Sequence, residues 1–193
     1  ARLLGTLSRE QPNSLILVPE LLQALVVAVE RGWQPPPSLQ FVAVGGAKVS
    51  RKLLERADAA GIPVYEGYGL SECASVVCLN TPASRRAGTV GRPLPHVRVR
   101  VDASGQVHVA GNTMLGYLGD PPRAPHDEIA TGDLGVFDAD GYLQLHGRMG
   151  NRFITGFGRN VSPEWVECEI SQRLGGRPVL VHGEARPYVV ALV

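Results

Sequence analysis

Several side chains suited to gripping a nucleotide sit in short glycine-marked segments of this chain: Tyr68 in Gly67-Tyr68-Gly69, Ser71-Glu72 just after it, Asp133 in Thr131-Gly132-Asp133, and Arg148 in Gly147-Arg148. An aromatic ring between two glycines can lie flat on a planar ligand while the backbone on either side comes close. A hydroxyl beside a carboxylate offers a phosphate contact and a hard oxygen for Mg²⁺, which takes one or two carboxylates together with phosphate oxygens. An Asp can accept from both hydroxyls of a ribose, and an Arg can donate to it from the other side. Singly, each has a plainer reading: Tyr68 as a turn residue capping the core, Asp133 as a turn Asp, Arg148 as a surface charge. Their order and spacing together read as a nucleotide site.

The elements that must position them alternate at first. An apolar run over Leu15 to Val18 ends at Pro19, and Leu21, Leu22, Leu25, Val26 and Val29 then keep helical spacing until Gly32. Leu39 to Val44 reads as a buried strand running into Gly45-Gly46. Ser50 can cap a helix whose apolar positions are Leu53, Leu54 and Ala57, with Gly61 beyond its end. Ile62 to Tyr65 is extended again and is expected to deliver Tyr68 to a loop. This β-α-β rhythm implies parallel strands with helical crossovers, and ligands in such sheets sit at the carboxyl ends of strands.

Beyond about Pro82 the pattern changes to closely spaced alternating strands, Val97 to Val101 and Tyr142 to His146. They are bounded by the turns Asp102-Ala103-Ser104-Gly105 and Asp138-Ala139-Asp140-Gly141. A small antiparallel β-barrel or bent sheet is expected. From about Gly147 a third texture starts: Arg152 to Thr155 as a strand, Ser162-Pro163-Glu164 as a helix start, then strands over Val179 to His182 and Tyr188 to Val193. The fold class is therefore α/β, divided as residues 1–82 (parallel α/β subdomain), 83–147 (β-barrel) and 148–193 (hinge and the beginning of a smaller α+β domain). The opening run Ala1-Arg2-Leu3-Leu4 has no initiator Met and no signal-peptide apolar region, and the last strand stops short, so the chain reads as a fragment.

A formal charge of +1 on 193 residues gives no electrostatic case for nucleic acid or an anionic membrane. No apolar run approaches the roughly 18 residues that span a bilayer, and a cytoplasmic location is expected. Cys73, Cys78 and Cys168 are odd in number and lack C-x-x-C spacing, which argues for small buried apolar side chains. The five histidines show no metal-ligand spacing, and no G-x-S-x-G elbow supports a hydrolase triad. Arg85-Arg86 and Arg98 with Arg100 read as solvated charges.

The segments Val44-Gly45-Gly46-Ala47, YEGYGLSE, AGTVGRPLPHVRVRV, TGDLG, FDADGYLQLHGR and FITGFGRNVSPEWVE cover nearly the whole chain. Together they resemble the adenylate-forming enzymes, a family of acyl- and aryl-CoA synthetases, peptide-synthetase adenylation domains and beetle luciferases. The resemblance implies that Gly46 and Ala47 offer backbone to the adenine, that Tyr68, with Gly69 beside it, stacks on the ring, and that Ser71 contacts the α-phosphate. It implies further that Glu72 holds Mg²⁺, that Asp133 and Arg148 grip the ribose, and that Gly156, Phe157 and Gly158 form a loop lining the thiol channel.

The implied reaction uses ATP, Mg²⁺ and coenzyme A: a carboxylate attacks the α-phosphate to give an acyl-adenylate and pyrophosphate, and a thiol then takes the acyl group. Ser71 and Glu72 carry the catalytic positions of this half-site. Two family elements have no counterpart here, the phosphate loop ending in Lys and a C-terminal catalytic Lys. Lys48 and Lys52 are the only lysines, and both are expected where a helix begins. Gly150 stands where the family carries Asp or Lys at the pivot between domains.

The FGRNVSPEWVE variant most resembles long-chain acyl-CoA synthetases and points to a fatty acid, whose pocket wall would be Gly45 to Lys48 and Cys73 to Leu79, an apolar run that fits an acyl tunnel and equally a buried strand. The isolated chain is expected not to turn over. The alternatives are a non-catalytic adenylate-binding or interaction module, or one part of a split ligase that needs a complementing chain or self-associates through exposed apolar surface.

Overall fold

The computed structural model of the protein describes residues 2–124 and 127–193. Helix α1 (Arg2–Glu10) is followed by strand β1 (Ser14–Leu17), helix α2 (Pro19–Glu30), strand β2 (Phe41–Val44), helix α3 (Arg51–Ala59) and strand β3 (Val64–Leu70). The three strands pair in parallel, with α2 and α3 as crossovers. Pro19 begins α2, where its missing N–H costs nothing. Leu22, Leu25 and Val26 of that helix are at most 1% exposed. Their burial contributes about 1.5–3 kcal/mol each, more than any helix-propensity term, so the apolar stripe decides how α2 lies. Ser50 caps α3 by accepting the Leu53 N–H at 3.2 Å, and Leu53, Leu54 and Ala57 are buried beneath it.

Helix α1 is an addition to the sequence reading. Leu3, Leu4 and Leu7 fall at helical spacing, Leu7 enters the core, Leu4 packs against it, and Trp33 Nε1 donates to Ser8 Oγ at 3.2 Å. A second difference concerns Tyr68, expected in a loop. It lies inside β3, because strand β4 (Ser75–Leu79) folds back antiparallel and pairs Gly67 with Leu79 and Tyr68 with Cys78. Strand β5 (Arg92–Pro93) completes a five-stranded sheet in the order β1-β2-β3-β4-β5. Residues Cys73 to Leu79 are thus a short turn and a strand, with Cys73, Val77 and Cys78 fully buried.

Strands β6 (Arg98–Val101), β7 (Gln106–Ala110), β8 (Ile129–Phe137) and β9 (Leu143–Arg148) form an antiparallel sheet in sequence order. The turns are those the sequence announces: Asp102 Oδ1 accepts from the amides of Ser104 and Gln106, and Asp138 Oδ1 from those of Asp140 and Tyr142. Register shifts between Gln106 and His108 and between Leu134 and Gly135 curl the sheet. The expected barrel or bent sheet is a half-barrel: among the described residues no ladder joins β6 to β9.

Two cores result. One gathers buried residues from Leu7 to Val64, the other from Tyr68 to Leu143, and they meet along β3. The remainder comprises a 3₁₀ turn (Met149–Asn151), the paired strands β10 (Phe153–Ile154) and β11 (Asn160–Val161), helix α4 (Pro163–Arg173), and the antiparallel pair β12 (Leu180–His182) and β13 (Val190–Leu192). Helix α4 starts at Pro163 as its sequence indicates, but Ser162 Oγ donates to Glu164 Oε2 at 2.9 Å instead of capping the backbone. All three cysteines are free, two of them fully buried and Cys168 half-buried. Among the described residues no helix is long and apolar enough to cross a membrane.

Candidate functional site

Strand pairing brings the dispersed residues together. Asp133 on β8 stands directly opposite Arg148 on β9, and Arg148 Nε lies 3.1 Å from Asp133 Oδ1. From the other sheet, the Tyr68 hydroxyl donates to Asp133 Oδ2 at 2.6 Å across 65 positions of sequence. Thr131 anchors the group from below: its hydroxyl accepts the Asp133 N–H at 3.0 Å and donates to the Val107 carbonyl at 2.9 Å, while its own carbonyl accepts from Arg148 Nη2 at 3.1 Å.

The Asp133 carboxylate is only 16% exposed, so a guanidinium on one oxygen and a phenol on the other fix its position. Burial, then the bond to Asp133, pushes the Tyr68 phenol well above its ordinary value, so Tyr68 remains a donor. A carboxylate has about four lone-pair sites, and two protein donors leave acceptor capacity for hydroxyls of a ligand. Tyr68 as a whole is 9% exposed and shares a core with Cys73, Val77 and Cys78.

Gly46 and Ala47 follow the carboxyl end of β2. A Cβ on Gly45 would meet the Gly67 carbonyl oxygen at 2.9 Å, so this loop runs against β3 one residue before Tyr68. Gly69 admits the return of β4, since a Cβ there would fall 1.4 Å from the Ser75 carbonyl oxygen. The chain then turns through the 3₁₀ segment Ser71–Cys73 into two left-handed residues, Ala74 (φ 53°) and Ser75 (φ 79°). Neither is glycine, so strain of about 1–2 kcal/mol per residue is held immediately after Ser71 and Glu72.

Glu72 is fixed from a segment that the sequence reading left out of the site. Its carbonyl accepts the Met114 N–H at 2.8 Å, and its Oε1 accepts from the Tyr117 hydroxyl at 2.9 Å. Its own amide, the Tyr117 hydroxyl and the field of Arg148 lower its pKa. A cavity of about 300 Å³, lined by Ser71, Ala74 and Asn112 to Leu115, lies alongside. Among the described residues no cluster of three or more His, Cys, Asp or Glu could hold a metal. A lone carboxylate beside a serine hydroxyl suits Mg²⁺, which draws its remaining ligands from phosphate and water, and does not suit a zinc or calcium cage.

The loop of Gly156, Phe157 and Gly158 is not part of this convergence. It forms the turn between β10 and β11, with Gly156 N–H donating to the Arg186 carbonyl at 2.7 Å, Gly158 N–H to that of Thr155 at 2.8 Å, and Phe157 76% exposed. No hydrogen bond among the described residues joins it to Tyr68, Asp133 or Arg148. Lys52 lies in α3 as expected, but Lys48 lies in the loop before it. There it borders a cavity of about 520 Å³ shared with His146, Arg152, Ser162 and Trp165, and burial lowers its pKa.

The chain was compared with known proteins. Residues 1–118 match the model of the AMP-binding enzyme family. Over 154 residues the chain is 32% identical to the long-chain-fatty-acid–CoA ligase FadD15 of Mycobacterium bovis, covering 77% of this chain and 26% of that protein. Over 182 residues it is 30% identical to the 2-succinylbenzoate–CoA ligase of Staphylococcus aureus, covering 89% of this chain and 36% of that protein. The solved structure of an E. coli MenE variant with bound OSB-AMS superposes with a TM-score of 0.79 at 31% identity, over 99% of this chain and 42% of that one. The chain therefore spans less than half the length of each of these relatives. In the MenE structure the matching portion lies within one polypeptide, which gives no support to a complementing chain. The extent of the family match, together with these identities, shows that the chain belongs to the AMP-binding enzyme family.

Proposed function

We propose that this chain carries the adenosine-binding side of an AMP-forming acid–thiol ligase, which activates a carboxylic acid as its acyl-adenylate for transfer to coenzyme A. One observation carries the reading: Tyr68, Asp133 and Arg148, on three strands of two sheets, meet around one fixed carboxylate. In this arrangement Asp133 uses its remaining lone pairs to accept from the ribose hydroxyls, while Arg148 and the Tyr68 phenol hold it in place. Gly46, Ala47 and Gly69 offer close-approaching backbone to the adenine, and the exposed part of the Tyr68 ring lies against it.

Ser71 addresses the α-phosphate. Glu72 would hold Mg²⁺, which supplies charge neutralisation between carboxylate and phosphate. Attack of one anion on another depends on such positioning and charge stabilisation. The division at residues 1–82, 83–147 and 148–193, the approach of Gly156 to Gly158 to the thiol path, and a cytoplasmic location belong to the same proposal.

A fatty acid is our preferred substrate, supported by the likeness to FadD15 and by the FGRNVSPEWVE segment. The likeness to the 2-succinylbenzoate ligase favours an aryl acid as the second reading. Calorimetry with two non-hydrolysable acyl-sulfamoyl adenosines, one bearing a long alkyl chain and one an aryl acid, tests both levels. Binding of either that is lost in Asp133→Ala supports the adenosine site, and the tighter ligand names the acid. No binding of either analogue or of AMP would refute the reading.

A further inference from the structure

We propose that Tyr117 is a positioning residue for the metal carboxylate, holding Glu72 in the orientation that receives Mg²⁺; this rests on the reading of Glu72 given above. Tyr117 lies 45 residues from Glu72 in sequence and is 59% exposed, so packing does not explain its place. Its neighbours Leu115 and Leu118 are 62% and 106% exposed, so the segment is not anchored by apolar burial at this point. Met114 packs against the second core, and beyond it two polar links tie the segment to one residue, the Tyr117 hydroxyl on Glu72 Oε1 and the Met114 N–H on the Glu72 carbonyl.

The two links act on different parts of Glu72. The Met114 amide fixes the backbone at the exit of the 3₁₀ turn, next to the left-handed Ala74 and Ser75. The phenol then fixes the carboxylate, which would otherwise sample several rotamers on a half-exposed side chain. A free glutamate has to lose that freedom when a metal arrives, whereas one already oriented does not. A phenol is also the appropriate donor, since it engages one carboxylate oxygen without bringing a positive charge that would repel the ion. A Lys or Arg at the same place would neutralise Glu72 and compete with the metal. The structural motif is that of an outer residue orienting a metal ligand through a hydrogen bond.

The test uses Mn²⁺ as a paramagnetic probe, titrated with AMP into the purified chain and followed by electron paramagnetic resonance. Wild-type protein should bind Mn²⁺ and lose the signal of the free ion, and Glu72→Gln should abolish this. Tyr117→Phe removes one exposed oxygen and should weaken Mn²⁺ binding by about tenfold, with an unchanged thermal midpoint. Leu118→Ser, which alters the same segment without touching Glu72, should bind Mn²⁺ as wild type does. Equal Mn²⁺ affinity in wild type and Tyr117→Phe, or a Leu118→Ser loss as large as that of Tyr117→Phe, would overturn the role of Tyr117. Glu72→Gln binding Mn²⁺ as wild type does would instead remove Glu72 as the ligand, and with it the reading on which this proposal stands.

Discussion

The cluster of Tyr68, Asp133 and Arg148 and the glycine turn at 156–158 are both candidate ligand contacts, yet they are held by different physics. Each member of the first stands on a strand, at a register position fixed by neighbouring ladders, and Tyr68 is rooted in a buried core. The second belongs to a part of the chain whose helix, α4, buries no residue. That helix and the turn following it meet the first core through polar links, Gln23 Nε2 to the Gly175 carbonyl at 3.4 Å, Gln172 Nε2 to Gln23 Oε1 at 3.3 Å, and a long Cys168 Sγ contact of 3.7 Å to the Lys48 carbonyl. Neutral hydrogen bonds contribute about 0.5–1.5 kcal/mol each, so little opposes re-orientation of the second region, whereas moving Asp133 means breaking a sheet. Register in two sheets fixes the first group, whereas the second region is attached by the polar contacts of a helix that buries no residue.

The strongest way to break that contrast is Asp133→Ala. It leaves a buried phenol without its acceptor and deletes the proposed ribose acceptor at once. Stability should fall by about 1–3 kcal/mol in urea titrations, and AMP affinity by about 2–3 kcal/mol, on the order of a hundredfold. An AMP affinity within twofold of wild type would dissolve the cluster as a site. The Tyr68 pair comes next. Tyr68→Ala should cost about 3 kcal/mol of stability by opening a cavity and about 1–3 kcal/mol of AMP binding if the ring lies against adenine. Tyr68→Phe keeps the ring and should lose only about 1 kcal/mol of stability. Identical AMP binding by the Ala and Phe variants would assign the ring to the core alone.

What was legible in the sequence follows the same division. The parallel β-α-β region could be read because Leu22, Leu25 and Val26, and Leu53, Leu54 and Ala57, obey one period on one face, with Ser50 marking a start. The Asp102 and Asp138 turns could be read because an Asp placed two and four residues before the amides it accepts is a local signal. Tyr68 was misplaced into a loop because flanking glycines suggest a turn, while the strand there depends on β4, a partner that no local window contains. The sequence leaves barrel and bent sheet open at residues 97–148 for a similar reason, as the register shifts that curl the sheet are properties of pairs. Tyr117 escaped notice as a site residue because its importance lies in a hydrogen bond across 45 residues, and no spacing rule reports that.

A smaller effect, and one with a pH signature, sharpens the account of β3. Glu66 lies two residues before Tyr68, and burial raises its carboxyl to about 7, opposed in part by the Gly88 amide and by Arg85 and Lys48. The unfolded chain releases this proton near the ordinary value of 4.5 and the folded chain only near 7. Between those values the unfolded state binds fewer protons, so stability falls as pH rises and levels off above the upper value. Glu66→Gln removes the group that must ionise in a desolvated place. The variant should be more stable than wild type by about 2 kcal/mol at pH 8 and should show no such gain at pH 4. Parallel melting curves for the two proteins across that range would show that β3 does not strain its carboxylate.

The smallest predicted energy tests the contrast itself. Gln23 is half-buried on α2 and makes two of the side-chain links to the far region, accepting from Gln172 and donating to Gly175. Gln23→Ala cuts both without touching either core, so global stability should change by no more than about 0.5 kcal/mol, and AMP affinity should not change. The change should appear locally instead: amide exchange in α4, β12 and β13 should quicken by about threefold to tenfold, while α2 and β3 keep their protection. If exchange in α4 instead follows that of β3 step for step in wild type and variant alike, the two regions open as one unit. The light attachment inferred from an unburied helix would then be wrong, because something other than buried apolar surface would be tying that helix to the sheet.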